Sequence, residues 1–219
     1  MKYLYINGDS FCGDGIKERG GKTFGELLCD KYNLDIEEDY LGGSSNHRIY
    51  RTTVNFIKEC EHKLQDILFL IGWTKITRFE IYDAINKRYI QKGHSGFYDN
   101  LTEFWKEYIK CFLDTEQLYR EHIQRIFLLQ SLFENYNCKY LFYNIFNDSV
   151  ISQTDEIIDF KRWIKPRSSF DKYLNNFSSE DVRQEWDDIK NVYDDHPNLL
   201  GHQKWFEVVT SVIESKNML

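Results

Sequence analysis

A chain of 219 residues, 42% hydrophobic and 16% aromatic, carries enough apolar surface for a substantial core, and its two prolines exclude a proline-rich linker. Its 35 acidic and 28 basic residues leave a formal charge of −7, which excludes the basic footprint of a protein that binds long nucleic acid. No apolar run approaches the roughly 18 residues that span a membrane, and Met1 leads straight into apolar sequence without the layout of a signal peptide, so a cytoplasmic protein is expected.

Lys2 to Asn7 is apolar and aromatic almost without interruption, the pattern of a central strand buried on both faces. Gly8 then allows a sharp bend, which sets Asp9 and Ser10 just past the strand's carboxyl end, where open α/β sheets hold their ligands. Thr23 is a candidate N-cap for a helix carrying Phe24, Leu27 and Leu28. Leu34 to Leu41 predicts a short second strand that ends at Gly42-Gly43. Asn46 is a candidate cap for the next helix, with Ile49, Val54, Ile57 and Cys60 on its apolar face. Ile67 to Ile71 is the clearest strand, bounded by Asp66 and Gly72.

This alternation implies βαβ units and a largely parallel sheet covered on both faces. Residues 73–100 read as an insertion over the sheet's upper edge. A long helical region follows from about Leu101 to Tyr136, with a break near Leu113 to Thr115 where Asp114 or Thr115 caps a second helix. Lys139 to Asn144 predicts the fourth strand, and residues 148–190 a second insertion, built as a cap of short helices. Asp194 to Asn198 reads as a loop, and Leu199 to Glu214 as an amphipathic final helix.

A serine nucleophile needs a base within hydrogen-bond reach. Ser10 is the candidate nucleophile and His196 the candidate base. Gly8-Asp9-Ser10, Gly42-Gly43-Ser44-Ser45-Asn46, Ile71-Gly72-Trp73-Thr74 and His196-Pro197-Asn198 stand in the order of the four motif blocks of the SGNH/GDSL hydrolases, and the chain resembles that family over nearly its whole length. Gly-Trp-Thr with Arg78 and Glu80 downstream, and His-Pro-Asn followed by Gly201, His202 and Trp205, is similar more narrowly to SGNH-like proteins of tailed bacteriophages.

The resemblance implies a three-layer α/β/α sandwich, flavodoxin-like, with a mostly parallel sheet of about five strands, formed by residues 1–219 as one domain. It also implies that Ser10 attacks an ester, O-acetyl or thioester carbonyl while His196 takes its proton. The family's usual acid stands three residues before the histidine, where this chain has Tyr193. Asp194 is the preferred acid and Asp195 the alternative. The backbone N–H groups of Ser10 and Gly43 match two oxyanion donors. The third, commonly an asparagine, is replaced by Thr74.

Asp9, Asn46, Trp73 and Arg78 are the candidate substrate contacts, although Trp73 and Trp205 also read as packing residues. Read alone, Gly8-Asp9-Ser10 fits a plain turn and His196-Pro197-Asn198 a helix entry with Asn198 as cap. His202 is read as structural. His47, His62, His94 and His122 lack metal-ligand spacing, and the five widely spaced cysteines contain no Cys-x-x-Cys pair, so no metal is expected; the acyl transfer that the resemblance implies needs no organic cofactor either.

The expected activity is hydrolysis of a small-molecule or glycan acyl ester in the cytoplasm, of an infected bacterial host on the phage likeness, with no membrane partner. The sequence sets no oligomeric state. Three rivals stay open: a degenerate site that sequesters a small ligand, an O-acyltransferase, and a protein-interaction module without a pocket at Ser10.

Overall fold

The computed structural model describes residues 1–13, 16, 20–92, 107, 111, 114–151, 157–187 and 192–219, without the side chains of 91, 92, 185–187 and 192–195. Four strands form the central sheet: β1 (Tyr3–Asn7), β2 (Asp35–Glu38), β3 (Ile67–Trp73) and β6 (Lys139–Asn144). They lie in the order β2-β1-β3-β6, and every pairing is parallel. All seven residues of β3 are buried, as a strand covered on both faces requires.

Alternation along these strands divides the core in two. Leu4, Ile6, Leu68, Leu70, Leu141 and Tyr143 face one way, toward Phe24 and Leu28 of α1 (Phe24–Tyr32) and Trp205, Val209 and Ile213 of the final helix, Leu199–Ser215. Tyr5, Phe69, Ile71, Trp73, Tyr140 and Phe142 face the other way. They meet Ile49 and Ile57 of α2 (Asn46–Glu59) and Ile126, Leu129 and Phe133 of α3 (Thr115–Asn135). The result is an α/β/α arrangement with period-two strands between amphipathic helices.

Several sequence expectations are revised. The sheet has four strands among the described residues, where about five were expected, and the chain beyond β6 adds the parallel bridges Phe142 to Trp163 and Asn144 to Ser169 along that strand. The first insertion contains an antiparallel hairpin, β4 (Phe79–Asp83) and β5 (Arg88–Lys92). Its residues 93–100 lie outside the described ones, as do 101–113 of the expected helical region apart from 107 and 111. Asp114 does cap α3, accepting the Glu116 N–H.

Ser45, not Asn46, caps α2, because the Asn46 amide is turned onto the backbone of Thr74. The cap region supplies α4 (Phe170–Leu174), α5 (Ser179–Val182) and β7 (Arg183–Asp187). The expected loop before the last helix is instead a strand, β8 (Val192–Pro197), paired with β7 through two register shifts. Asn198 caps the last helix, α6 (Leu199–Ser215), its side-chain Oδ1 accepting the Gly201 N–H. No helix among the described residues is long and apolar enough to cross a membrane.

From β1 the chain passes through α1 to β2 on one side, then through α2 to β3 on the other. The carboxyl ends of β1 and β3 therefore flank the point where the strand order reverses, the crevice in which such sheets place their sites.

Two buried histidines hold this frame while neutral. His202 on α6 accepts the Phe24 N–H at Nδ1, 3.2 Å away, which satisfies one of the orphan donors at the start of α1. His122 on α3 places Nε2 3.4 Å from the Ser149 carbonyl oxygen. Burial lowers the His202 pKa to about 3 and that of His122 to about 4, from 6.5. The unfolded chain therefore binds two protons that the folded chain refuses, and stability falls as pH drops below about 6.5. At about pH 5 each histidine costs about 2 kcal/mol relative to neutral pH. His202→Asn keeps an acceptor near Nδ1 but does not titrate. In urea unfolding at pH 7 and pH 5 it should lose about 2 kcal/mol less than wild type; equal losses would show that His202 is not held neutral.

Candidate active site

β1 delivers Gly8, Asp9 and Ser10 at its carboxyl end. Gly8 is required by a close approach, since a Cβ there would stand 2.6 Å from Cys12 Sγ. This replaces the expected role of the glycine as a bend. Asp9 caps a single 3-10 turn, Ser10–Cys12, by accepting the Phe11 N–H at Oδ1, 3.0 Å away. Ser10, buried to 7% exposure, then sets Oγ 2.7 Å from Nε2 of His196.

His196 arrives from β8, 186 residues further along. Its ring lies 5.4 Å from that of Phe11, which in turn meets Phe146 edge-on at 4.8 Å. With the serine hydroxyl donating to Nε2, the hydrogen of the neutral imidazole is on Nδ1. The Ser10 backbone N–H donates to no group among the described residues.

Behind the serine lies a charged, almost dry network. Asp9 has no solvent exposure, and its Oδ2 accepts from Thr74 Oγ1 at 2.7 Å and from Arg78 Nη1 at 2.5 Å. Arg78 Nη1 also donates to Thr74 Oγ1 at 2.7 Å, and its side chain is 4% exposed. The guanidinium lies 5.3 Å from the Phe146 ring and the Lys75 ammonium 4.7 Å from it. Burial raises the Asp148 pKa, while Lys75 and Arg78 oppose the rise.

The remaining candidates fall in different places. Thr74 gives its hydroxyl hydrogen to Asp9 and its N–H to Asn46 Oδ1, and Asn46 Nδ2 returns a bond to the Thr74 carbonyl. The Thr74 hydroxyl hydrogen is thus committed to Asp9 and does not hold an oxyanion, contrary to the expectation for Thr74. Trp73 is fully buried against His122 and Phe142, a packing residue and not a substrate contact. Gly43, with φ +73°, sits in an exposed turn that favours glycine, and its N–H makes no bond among the described residues. Asp194 and Asp195 belong to β8, but their side chains lie outside the described residues.

Sequence reasoning named Ser10 and His196, which the structure brings together, but missed the pairing of Arg78 with Asp9. The available signal was a basic residue four positions after Thr74, beyond the strand that neighbours β1. Arg78 also lines a cavity of about 220 Å³ with His47, Glu80, Glu121, His122 and Arg125, and Ser10 does not line it. Among the described residues no group of three or more His, Cys, Asp or Glu side chains is arranged to hold a metal ion.

Among solved structures, the chain is similar to a Desulfitobacterium hafniense DCB-2 protein named for the lipolytic G-D-S-L family. The identity is 12%, 97% of this chain and 99% of that one are covered, and the TM-score is 0.50. It is similar also to LAE5, an alpha/beta hydrolase enzyme from the metagenome of Lake Arreo, Spain, at 14% identity, with 96% and 94% covered and a TM-score of 0.51. For TesA the identity is 14%, both chains are fully covered and the TM-score is 0.50. These likenesses are of fold. No curated protein matches. A family model matches residues 12–217, beginning just after Ser10, and the chain accordingly belongs to that family of unknown function, DUF6071, on the α/β fold of the G-D-S-L hydrolases.

Proposed function

We propose that the protein is a serine hydrolase that cleaves an ester, O-acetyl or thioester bond of a small-molecule or glycan substrate. The observation that carries this reading is the 2.7 Å contact between Ser10 Oγ and His196 Nε2 at the carboxyl end of the parallel sheet. Chance turn chemistry explains each segment alone. It does not explain a buried serine and an imidazole nitrogen meeting from opposite ends of the chain.

In this reading Ser10 Oγ attacks the acyl carbon as its proton passes to His196 Nε2. The imidazolium then protonates the leaving alcohol or thiol, and water attacks the acyl-enzyme with the same histidine as base. Asp194, or Asp195 beside it, holds the Nδ1–H and stabilises the imidazolium. The oxyanion is met by the Ser10 N–H, which donates to nothing among the described residues, and by the Gly43 N–H. Each such donor is worth about 3 kcal/mol of transition-state stabilisation. Asp9, Asn46 and Thr74 support the serine from behind rather than touching substrate.

A fluorophosphonate phosphonylates an activated serine without requiring the natural substrate. Intact-mass analysis should show one adduct on the wild type and none on Ser10→Ala. His196→Ala should label at least about 100-fold more slowly, the share general-base catalysis commonly supplies. A folded wild type that takes no adduct would exclude the hydrolase reading.

His196→Ala also separates attack from binding. Once an ester that the wild type turns over has been found, this substitution should lower kcat by about 100-fold or more with KM little changed, since the imidazole acts on the proton and not on ground-state affinity. A loss confined to KM would place His196 in binding instead.

A further inference from the structure

We infer that Arg78 is the positioning residue of the nucleophile turn: through Asp9 it fixes the backbone that presents the Ser10 N–H and hydroxyl. The inference rests on the hydrolase reading and gives Arg78 a role that neither the motif order nor the fold likeness assigns to it.

The chain of contacts is short. An aspartate at the first position of a turn has one carboxylate oxygen for the backbone two residues on, and its other oxygen is free to swing. Here Asp9 Oδ1 takes the Phe11 N–H, while Thr74 Oγ1 and Arg78 Nη1 hold Oδ2. Fixing Oδ2 fixes the side-chain torsions, which in turn fix the Phe11 bond and the 3-10 turn. With the carboxylate held there, the Ser10 N–H keeps no acceptor among the described residues and Ser10 Oγ stays 2.7 Å from His196 Nε2.

Arg78 suits this task in charge as well as reach. A carboxylate without solvent exposure needs a compensating charge. One nitrogen of the guanidinium bridges Asp9 and Thr74, so the ends of β1 and β3 are tied at a single atom. The Phe146 ring, 5.3 Å from the guanidinium, lies edge-on to Phe11 of the same turn.

The test compares wild type, Arg78→Lys, Arg78→Met, Asp9→Asn and the double variant Asp9→Asn/Arg78→Met by fluorophosphonate labelling rate, thermal midpoint and amide hydrogen exchange at Phe11. Arg78→Met leaves a buried carboxylate unpaired. It should melt about 10 °C lower and label about 100-fold more slowly, the cost of a nucleophile displaced by about 1 Å. The Phe11 amide should exchange about tenfold faster, equivalent to one lost hydrogen bond, with the β1 amides unchanged.

The double variant removes both charges and should regain most of the lost thermal stability while still labelling slowly. Arg78→Lys keeps a donor for Asp9 and should label faster than Arg78→Met. Recovery of wild-type labelling in the double variant would show that Arg78 serves stability alone and overturn the inference. So would Arg78→Met labelling within about twofold of wild type, given that displacement at such a site costs far more. A wild type that takes no probe would overturn the hydrolase reading, and the Phe11 exchange rate then decides by itself whether the turn depends on Arg78.

Discussion

The site depends on one buried ion pair. Asp9 and Arg78 stand at 0% and 4% side-chain exposure, and each without the other would be a bare charge in a poorly solvating interior. Such a pair adds little net stability over an apolar pair of the same shape, because desolvation offsets most of the attraction. Its value lies in geometry. A carboxylate that must face a guanidinium on one side and a threonine hydroxyl on the same oxygen has few rotamers left, and its remaining oxygen then dictates the turn at Ser10.

The sheet makes this pairing possible by bringing two strand ends together. β1 and β3 pair in parallel from Tyr3 with Ile67 to Asn7 with Ile71, so the residues that follow leave the sheet side by side. Asn7 strengthens the same corner from the opposite face. Its amide nitrogen donates toward the Ile49 carbonyl and the Thr52 and Thr53 hydroxyls of α2, binding the strand end to the helix whose first turn carries Asn46. Asn46 in turn grips Thr74 through both N–H and C=O. The polar groups at this end of the sheet thus fasten the backbone and leave little for a ligand, which is why the Ser10 N–H stands out.

Much of this was legible in the sequence, and the parts that were not share a physical reason. β1, β3 and β6 were readable because strands buried on both faces leave continuous apolar runs. Thr23 was readable as a cap because the capping box with Glu26 is local. Ser10 and His196 were named from motif order, not from any local property that marks a base, and the structure brings them together. Arg78 was read as a substrate contact and not as the partner of Asp9, because that partner lies 69 residues away and an arginine after a strand is as often solvated as buried. β8 read as a loop since Asp194, Asp195 and Pro197 are poor strand formers; its pairing with β7 overrides propensity through tertiary context. Asn46 and Ser45 are both good caps, and the choice fell to Ser45 only because Thr74 claims the asparagine.

His196 and His202 lie on either side of the Asn198 cap, and their contrast shows how one segment serves both the candidate site and the fold. His202 is buried beneath α1, stacked on Phe24 at an interplanar angle of 13°, and burial keeps it neutral down to about pH 3. A ring so reluctant to take a proton cannot serve as a general base near neutral pH, but it can accept a helix N–H permanently. His196 is only half-buried, and its Nε2 faces the Ser10 hydroxyl at 2.7 Å instead of a helix N–H. Because Asn198 fixes the start of α6 between them, the contact of His202 with α1 also fixes where β8 must end. The reach of His196 toward Ser10 is therefore set in part by a histidine that does not touch the serine.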